Sequence, residues 1–162
     1  MKRAFTLIEL IFTIVIIGFL AVIAIPKFMN LTTHAKNASI KSIVTSIEDS
    51  VENIHAKWLV DEDFVWDPDG DGDDDLNQTS GYPKYLDSGK DESELFKYVL
   101  KIPIYACGNK SQSCWREYDD KRYEYIYNPN KILRLDYNSS NGMLECVDGV
   151  GITKEECREL IY

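Results

Sequence analysis

At 162 residues the chain is long enough for one domain of ordinary size and too short for two. It carries 18 Lys and Arg against 27 Asp and Glu, a formal net charge of -9 that argues against a phosphate-binding surface and so against direct nucleic-acid binding. Hydrophobic residues make up 44% of the chain but are unevenly spread: the first 25 residues are nearly all apolar and the rest is polar and acidic, so the two parts face different solvents.

From Phe5 to Ile25 the sequence FTLIELIFTIVIIGFLAVIAI has Glu9 as its only charge. At about 1.5 Å per residue a helix of that length crosses a hydrocarbon core of roughly 30 Å. Lys2 and Arg3 precede it directly, and the positive-inside rule then keeps the N-terminus cytoplasmic and exports the chain beyond Lys27. Glu9 is the anomaly, because a charge inside an apolar helix costs about 2.5 to 3.5 kcal/mol and needs a partner. A cut between Ala4 and Phe5 creates an α-amine four residues before Glu9, able to pair with Glu9 of its own chain, one turn away, or with Glu9 of a neighbour. An ordinary secretory signal would instead be cut after the apolar run, at Val22-Ile23-Ala24, but Glu9 interrupts the start of that run.

Lys2-Arg3-Ala4, followed by Phe5-Thr6-Leu7-Ile8-Glu9-Leu10 and an unbroken apolar run, resembles the class III signal of type IV pilins and type II secretion pseudopilins. The resemblance implies cleavage after Ala4 by prepilin peptidase, N-methylation of Phe5, a Glu9 that neutralises a neighbouring subunit's amine during assembly, and a Pro26 that loosens the helix. It also implies other pilin or pseudopilin subunits and an inner-membrane assembly platform as partners. Ala4 departs from the glycine that usually precedes the cut, while keeping a small side chain.

After Pro26 the apolar positions become periodic. Ile40, Ile43, Val44, Ile47, Val51, Ile54 and Trp58 fall at steps of three and four, opposite Lys36, Asn37, Lys41, Ser42, Glu48, Asp49 and Glu52. With Pro26 as a kink, one helical spine is expected from Phe5 to Leu59, its second half lying across a sheet. His34 and His55, the only histidines, stand about six turns apart on it and read as surface or edge positions.

Asp67-Pro68-Asp69-Gly70-Asp71-Gly72-Asp73-Asp74-Asp75 sets carboxylates at alternate positions, with glycines that let the backbone curl around a centre. Hard oxygen ligands in this pattern suit calcium. Its first six residues look like the opening half of an EF-hand-type loop, with Asp67, Asp69 and Asp71 as ligands, Gly72 at the sharp turn, and Asp73, Asp75 or a backbone carbonyl completing the shell. Gln78 stands where such a loop would end in a bidentate glutamate. The bland alternative is a solvated acidic linker. Some pseudopilins use calcium to order a loop, so the resemblance points the same way.

Asp91-Glu92-Ser93-Glu94 leads into Leu95, Phe96, Val99 and Leu100, the pattern of a short helix begun by acidic residues. Strands are expected over Arg122 to Tyr127, Lys131 to Tyr137 and Met143 to Val147, separated by Asn128-Pro129-Asn130 and Asn138-Ser139-Ser140-Asn141-Gly142, which predicts an antiparallel meander. Tyr123, Tyr125 and Tyr127 share one strand face and read as helix–sheet packing rather than as a binding surface. Cys107, Cys114, Cys146 and Cys157 allow three pairings; the neighbour pairing, Cys107 with Cys114 and Cys146 with Cys157, is preferred, as staples formed in an oxidising compartment. Thr153 and Glu156 fit a capping box at a final helix.

The predicted fold class is α+β and pilin-like, a long N-terminal helix with a membrane half and an amphipathic half packed on a small antiparallel β-sheet. The chain divides into a leader (1–4), a transmembrane and assembly helix (5–26), an amphipathic helix (27–60), an acidic calcium loop (61–90) and a sheet region with disulfides (91–162). No nucleophile elbow, phosphate loop or zinc-protease motif occurs, so no enzyme is expected. The expected role is a pseudopilin, anchored once in the bacterial inner membrane with its globular part periplasmic, in a filament serving type II secretion or DNA uptake. A minor type IV pilin with a surface binding role and a solitary membrane-anchored calcium-binding protein are the alternatives.

Overall fold

The computed structural model describes residues 6–87, 93–107 and 113–162, without the side chains of Met29 and Asn30. The Ala4–Phe5 cut, the acidic start at Asp91-Glu92 and the Gly108 to Gln112 stretch of the first cysteine loop lie outside these residues. The chain forms two compact units, Met1–Ala38 and Ser39–Tyr162. A single helix, α1 (Leu7–Val60), runs through both, with Pro26 inside it, close to the spine expected from the sequence.

In the first unit the helix presents its apolar side chains to the outside, from Leu7 and Ile8 to Phe28 and Leu31. In the second unit the same helix becomes one-sided. Ile40, Val44, Ile47 and Val51, at steps of four, three and four, are each at most 1% exposed, while Lys41, Ser42, Asp49 and Glu52 face solvent. Ile43 and Ile54 flank the stripe and are partly buried.

That stripe enters a core built mainly by a four-stranded antiparallel sheet, β3 (Cys114–Asp119), β4 (Arg122–Asn128), β5 (Lys131–Asn138) and β6 (Met143–Val150), in the order β3-β4-β5-β6. Alternation decides which side chains point inward. Trp115, Tyr123, Tyr125, Leu133, Leu135, Tyr137, Leu144 and Cys146 are buried in the core with the helix stripe. The tyrosine row is thus core packing: Tyr123 tilts against Phe96 at 4.4 Å between ring centroids, and Tyr125 meets Trp115 edge-on at 5.4 Å.

Two short strands, β1 (Glu94–Leu95) and β2 (Ile104–Tyr105), pair antiparallel beside this sheet. Here the predicted short helix does not form over its described residues, 93–100. Glu94 and Leu95 are extended, and Phe96 adopts φ 57°, an unusual left-handed value for a bulky residue. Its backbone N–H donates to the buried Asp87 carboxylate (3.1 Å) and its ring is fully buried, so tertiary contacts override the local helical pattern.

Strand β3 lies outside the predicted meander, and it carries the sheet's main polar feature. Register aligns Arg116, Glu124 and Arg134 across three strands. Glu124 is completely buried, accepting from the Arg116 Nε at 2.7 Å and forming a second ion pair with Arg134. Both arginines lie within 6.0 Å of the Tyr118 ring. A carboxylate can be fully buried at this position because two guanidinium groups satisfy both of its oxygens.

The last helix, α2 (Lys154–Ile161), starts at the Thr153 and Glu156 capping box and buries Cys157 and Ile161. The disulfides are Cys107–Cys114 and Cys146–Cys157, with Cα atoms 5.6 and 5.8 Å apart, the neighbour pairing expected. Replacing Ile47 by alanine removes the most central side chain of the helix stripe. Denaturant unfolding of the detergent-solubilised chain is expected to show a loss of about 2 to 5 kcal/mol.

Candidate functional site

Two features could carry function, and they lie in different units. The first is the apolar face of α1 around Glu9. Leu7 and Ile8 are each about three-quarters exposed, and Leu10, Ile11 and Phe12 also face outward. The Glu9 backbone N–H donates to the Thr6 carbonyl at 3.1 Å and its side chain is exposed within this surface. Among the described residues no basic side chain pairs with it. A lone carboxylate on an apolar helix face is costly in a lipid or protein environment, and a cation that meets it there offsets that cost.

The second feature is the acidic loop. One carboxylate oxygen each from Asp67, Asp69 and Asp71 lies within 4.8 Å of the others. The loop is bent by its own hydrogen bonds. Asp67 Oδ1 accepts from the Gly70 and Asp71 N–H groups at 2.7 and 3.2 Å, and Asp67 Oδ2 accepts from Gly72 N–H at 3.0 Å. Gly72 sits at φ 93°, a conformation that side-chain-bearing residues rarely adopt, which is the turn anticipated for it.

Two ligands on opposite sides of a calcium ion stand about 4.6 to 5.2 Å apart, so three oxygens within 4.8 Å fit one such ion. Asp67, Asp69 and Asp71 are the residues that could hold it. Asp73 is exposed, its backbone N–H donating to Asp71 Oδ1 at 2.9 Å, and does not join the group. Asp75 stands beside it: partial burial, then repulsion from Asp69 and Asp71, raises its pKa above the usual carboxylate value.

Asp74, absent from the predicted ligand set, organises the loop. Its Oδ1 accepts from the Trp66 and Leu76 N–H groups, its Oδ2 from Gln78, and its carbonyl from Lys84 Nζ. Gln78, which replaces the glutamate of an EF-hand loop, is thereby used as a brace. The acidic run itself carries no signal of which aspartate is structural. His34 is exposed, and His55 stacks on Tyr82 with ring centroids 4.1 Å apart; neither belongs to a metal-binding group among the described residues.

Comparison with known proteins bears on the first feature. The family described as the prokaryotic N-terminal methylation motif matches residues 1–25. The chain is 37% identical over 71 residues to the type IV narrow pilus major component PilA5 of Thermus thermophilus, a match that takes in 42% of this chain and 61% of that protein. The chain thus spans less than two thirds of the length of that relative. No solved structure matches it. The long helix, the antiparallel sheet and the methylation motif together support a type IV pilin-like family for the chain. Its apolar N-terminal helix, long enough to cross a membrane, fits a single-pass anchor.

The charge crowding in the loop has a measurable consequence. A carboxylate whose pKa is raised on folding stabilises the fold only while protonated, so stability is lost as pH rises from about 3.8 through the raised value. Asp75→Asn in chelator-treated protein is therefore expected to raise the unfolding temperature at pH 7, with the difference from wild type disappearing near pH 3.

Proposed function

We propose that the chain is a structural subunit, a pseudopilin, of a type IV pilus-like filament that serves type II protein secretion or DNA uptake. The observation that carries this reading is Glu9, the single charge of an apolar helix within the methylation motif. In this reading prepilin peptidase cuts after Ala4, Phe5 becomes the methylated N-terminus, and its amine meets Glu9 of an adjacent subunit. Filament contacts form through the apolar face of α1 on an inner-membrane platform, and the Ser39–Tyr162 unit lies in the periplasm. The protein does no catalysis; the chemistry is done on the chain. The oxidised cysteine pairs support an exported position for this unit.

A subunit of an extracellular pilus is the second reading, favoured by the similarity to a narrow pilus component. The two separate by immunogold microscopy, which would place the chain in surface fibres only for a pilus.

Mass spectrometry of the mature chain is expected to find N-methylated Phe5 at its start; an intact Met1 or a start at Ile25 would overturn the proposal. Glu9→Ala is expected to be cleaved normally yet fail to enter filaments, and wild-type assembly of that variant would remove the role given to Glu9.

The acidic loop is assigned to calcium, held by Asp67, Asp69 and Asp71 with Asp75 nearby. A bound divalent ion supplies positive charge that relieves the mutual repulsion of the loop and orders it between α1 and the sheet region. Calorimetric titration of the purified chain is expected to give a single calcium site that Asp67→Asn weakens at least tenfold. No heat at millimolar calcium would dismiss the site and leave the filament role untouched.

A further inference from the structure

Asparagine occurs nine times in the chain, and Asn30, Asn37, Asn77, Asn109 and Asn138 are each followed two positions on by Ser or Thr, with no proline between. Ser and Thr together are 18 of 162 residues, so about one such triplet is expected by chance. Asn-x-Ser/Thr is the acceptor pattern for attachment of a glycan to the asparagine amide, and it is used on exported surface loops.

The geometry distinguishes the described members of this set. Asn37 lies inside α1, where the backbone is committed to the helix. Asn77 forms the same kind of turn as Asn138, its Oδ1 accepting from the Thr79 N–H at 3.0 Å, but its Nδ2 donates to the backbone carbonyl of Ser139 at 3.2 Å, a contact that joins two loops distant in sequence. Asn138 is placed differently. On β5 the inward positions are Leu133, Leu135 and Tyr137, so Arg134, Asp136 and Asn138 lie on the opposite face of the sheet.

At the end of that strand the triplet folds on itself. Asn138 Oδ1 accepts from the backbone N–H of Ser140, the hydroxyl residue of the triplet, at 2.9 Å. Asn138 is half-buried, and its Nδ2 donates to the exposed Glu145 carboxylate at 2.8 Å, a surface side chain rather than the backbone of another loop. Ser140 and Asn141 are exposed. The inward side of the turn is closed, because Gly142, at φ 71°, packs directly on the Tyr82 ring and Val51. Asp136, two residues before Asn138, is held by a bidentate pair with Arg122 at 2.6 and 2.7 Å, which orders the strand up to the turn.

We propose that Asn138 is an N-glycosylation acceptor on the exported unit. In the transfer, Asn138 Nδ2 bonds to the anomeric carbon of a glycan carried on a polyprenyl pyrophosphate. The bond from that carbon to the phosphate oxygen breaks, the polyprenyl pyrophosphate leaves, and one Nδ2 proton passes to a basic group of the transferase. The proposal rests on the export of the Ser39–Tyr162 unit argued above. A glycan at this turn covers the outward end of the sheet and leaves the core contacts of Gly142 untouched.

The test is peptide mass spectrometry on the full chain extracted in detergent from its native host, with the cysteine state read in the same digest. The Asn138 peptide is expected to carry a mass of several sugar residues, lost completely in Ser140→Ala and retained in Ser140→Thr. A bare Asn138 peptide with Cys146 and Cys157 oxidised overturns the acceptor assignment while export stands; a bare peptide with free thiols overturns both. A glycan on Asn77 but not on Asn138, or one that persists in Ser140→Ala, also overturns it.

Discussion

The second unit depends on one stripe of α1, Ile40, Val44, Ile47 and Val51, being removed from water by the sheet. Each of these side chains contributes about 1.5 to 3 kcal/mol on burial, and the inward residues of β4, β5 and β6 belong to the same core cluster. The stripe also determines which way the tyrosines point. Tyr123 and Tyr125 face the core because they alternate on β4 with Glu124, whose two arginine partners stand on the neighbouring strands. The disulfide between Cys146 on β6 and Cys157 on α2 then ties the last helix to a sheet already held by that stripe.

Three sets of carboxylates are handled in three ways, and the differences organise the functional reading. Glu124 is buried and satisfied within the fold by Arg116 and Arg134. The Asp67, Asp69 and Asp71 group is bent together by backbone N–H donors, which fix its geometry without supplying a full positive charge. Glu9 has no basic partner among the described residues. Charge that the fold neutralises is structural. The other two sets are those for which the proposal supplies an external cation, an ion in one case and a neighbouring amine in the other.

Much of the architecture is legible in the sequence because local periodicity and burial agree. The three- and four-residue steps of the spine, the turn residues at Asn128-Pro129-Asn130 and Asn138 to Gly142, and the Thr153 and Glu156 pair each report a local geometry that the fold keeps. Residues 93–107 depart from their local pattern because their structure is set from a distance: Asp87 captures the Phe96 N–H, and Ile104 pairs with Leu95. Strand β3 is hidden in the sequence since Cys114-Trp115-Arg116-Glu117 lacks clean alternation of polarity. Arg116 lies on the outward face because it meets Glu124 there, a partner eight residues away.

By itself the sequence determined the membrane-length apolar run with its solitary Glu9, the switch to an amphipathic helix, the meander and the cysteine inventory. All of these are matters of composition and short-range period, which act through solvent and local backbone preference. Only the tertiary structure decided which aspartates converge and which brace the loop, why Glu124 can be buried, and which Asn-x-Ser/Thr triplet is turned outward. Those outcomes depend on which backbone N–H group, guanidinium or neighbouring segment each polar side chain meets in three dimensions, and no local pattern encodes them.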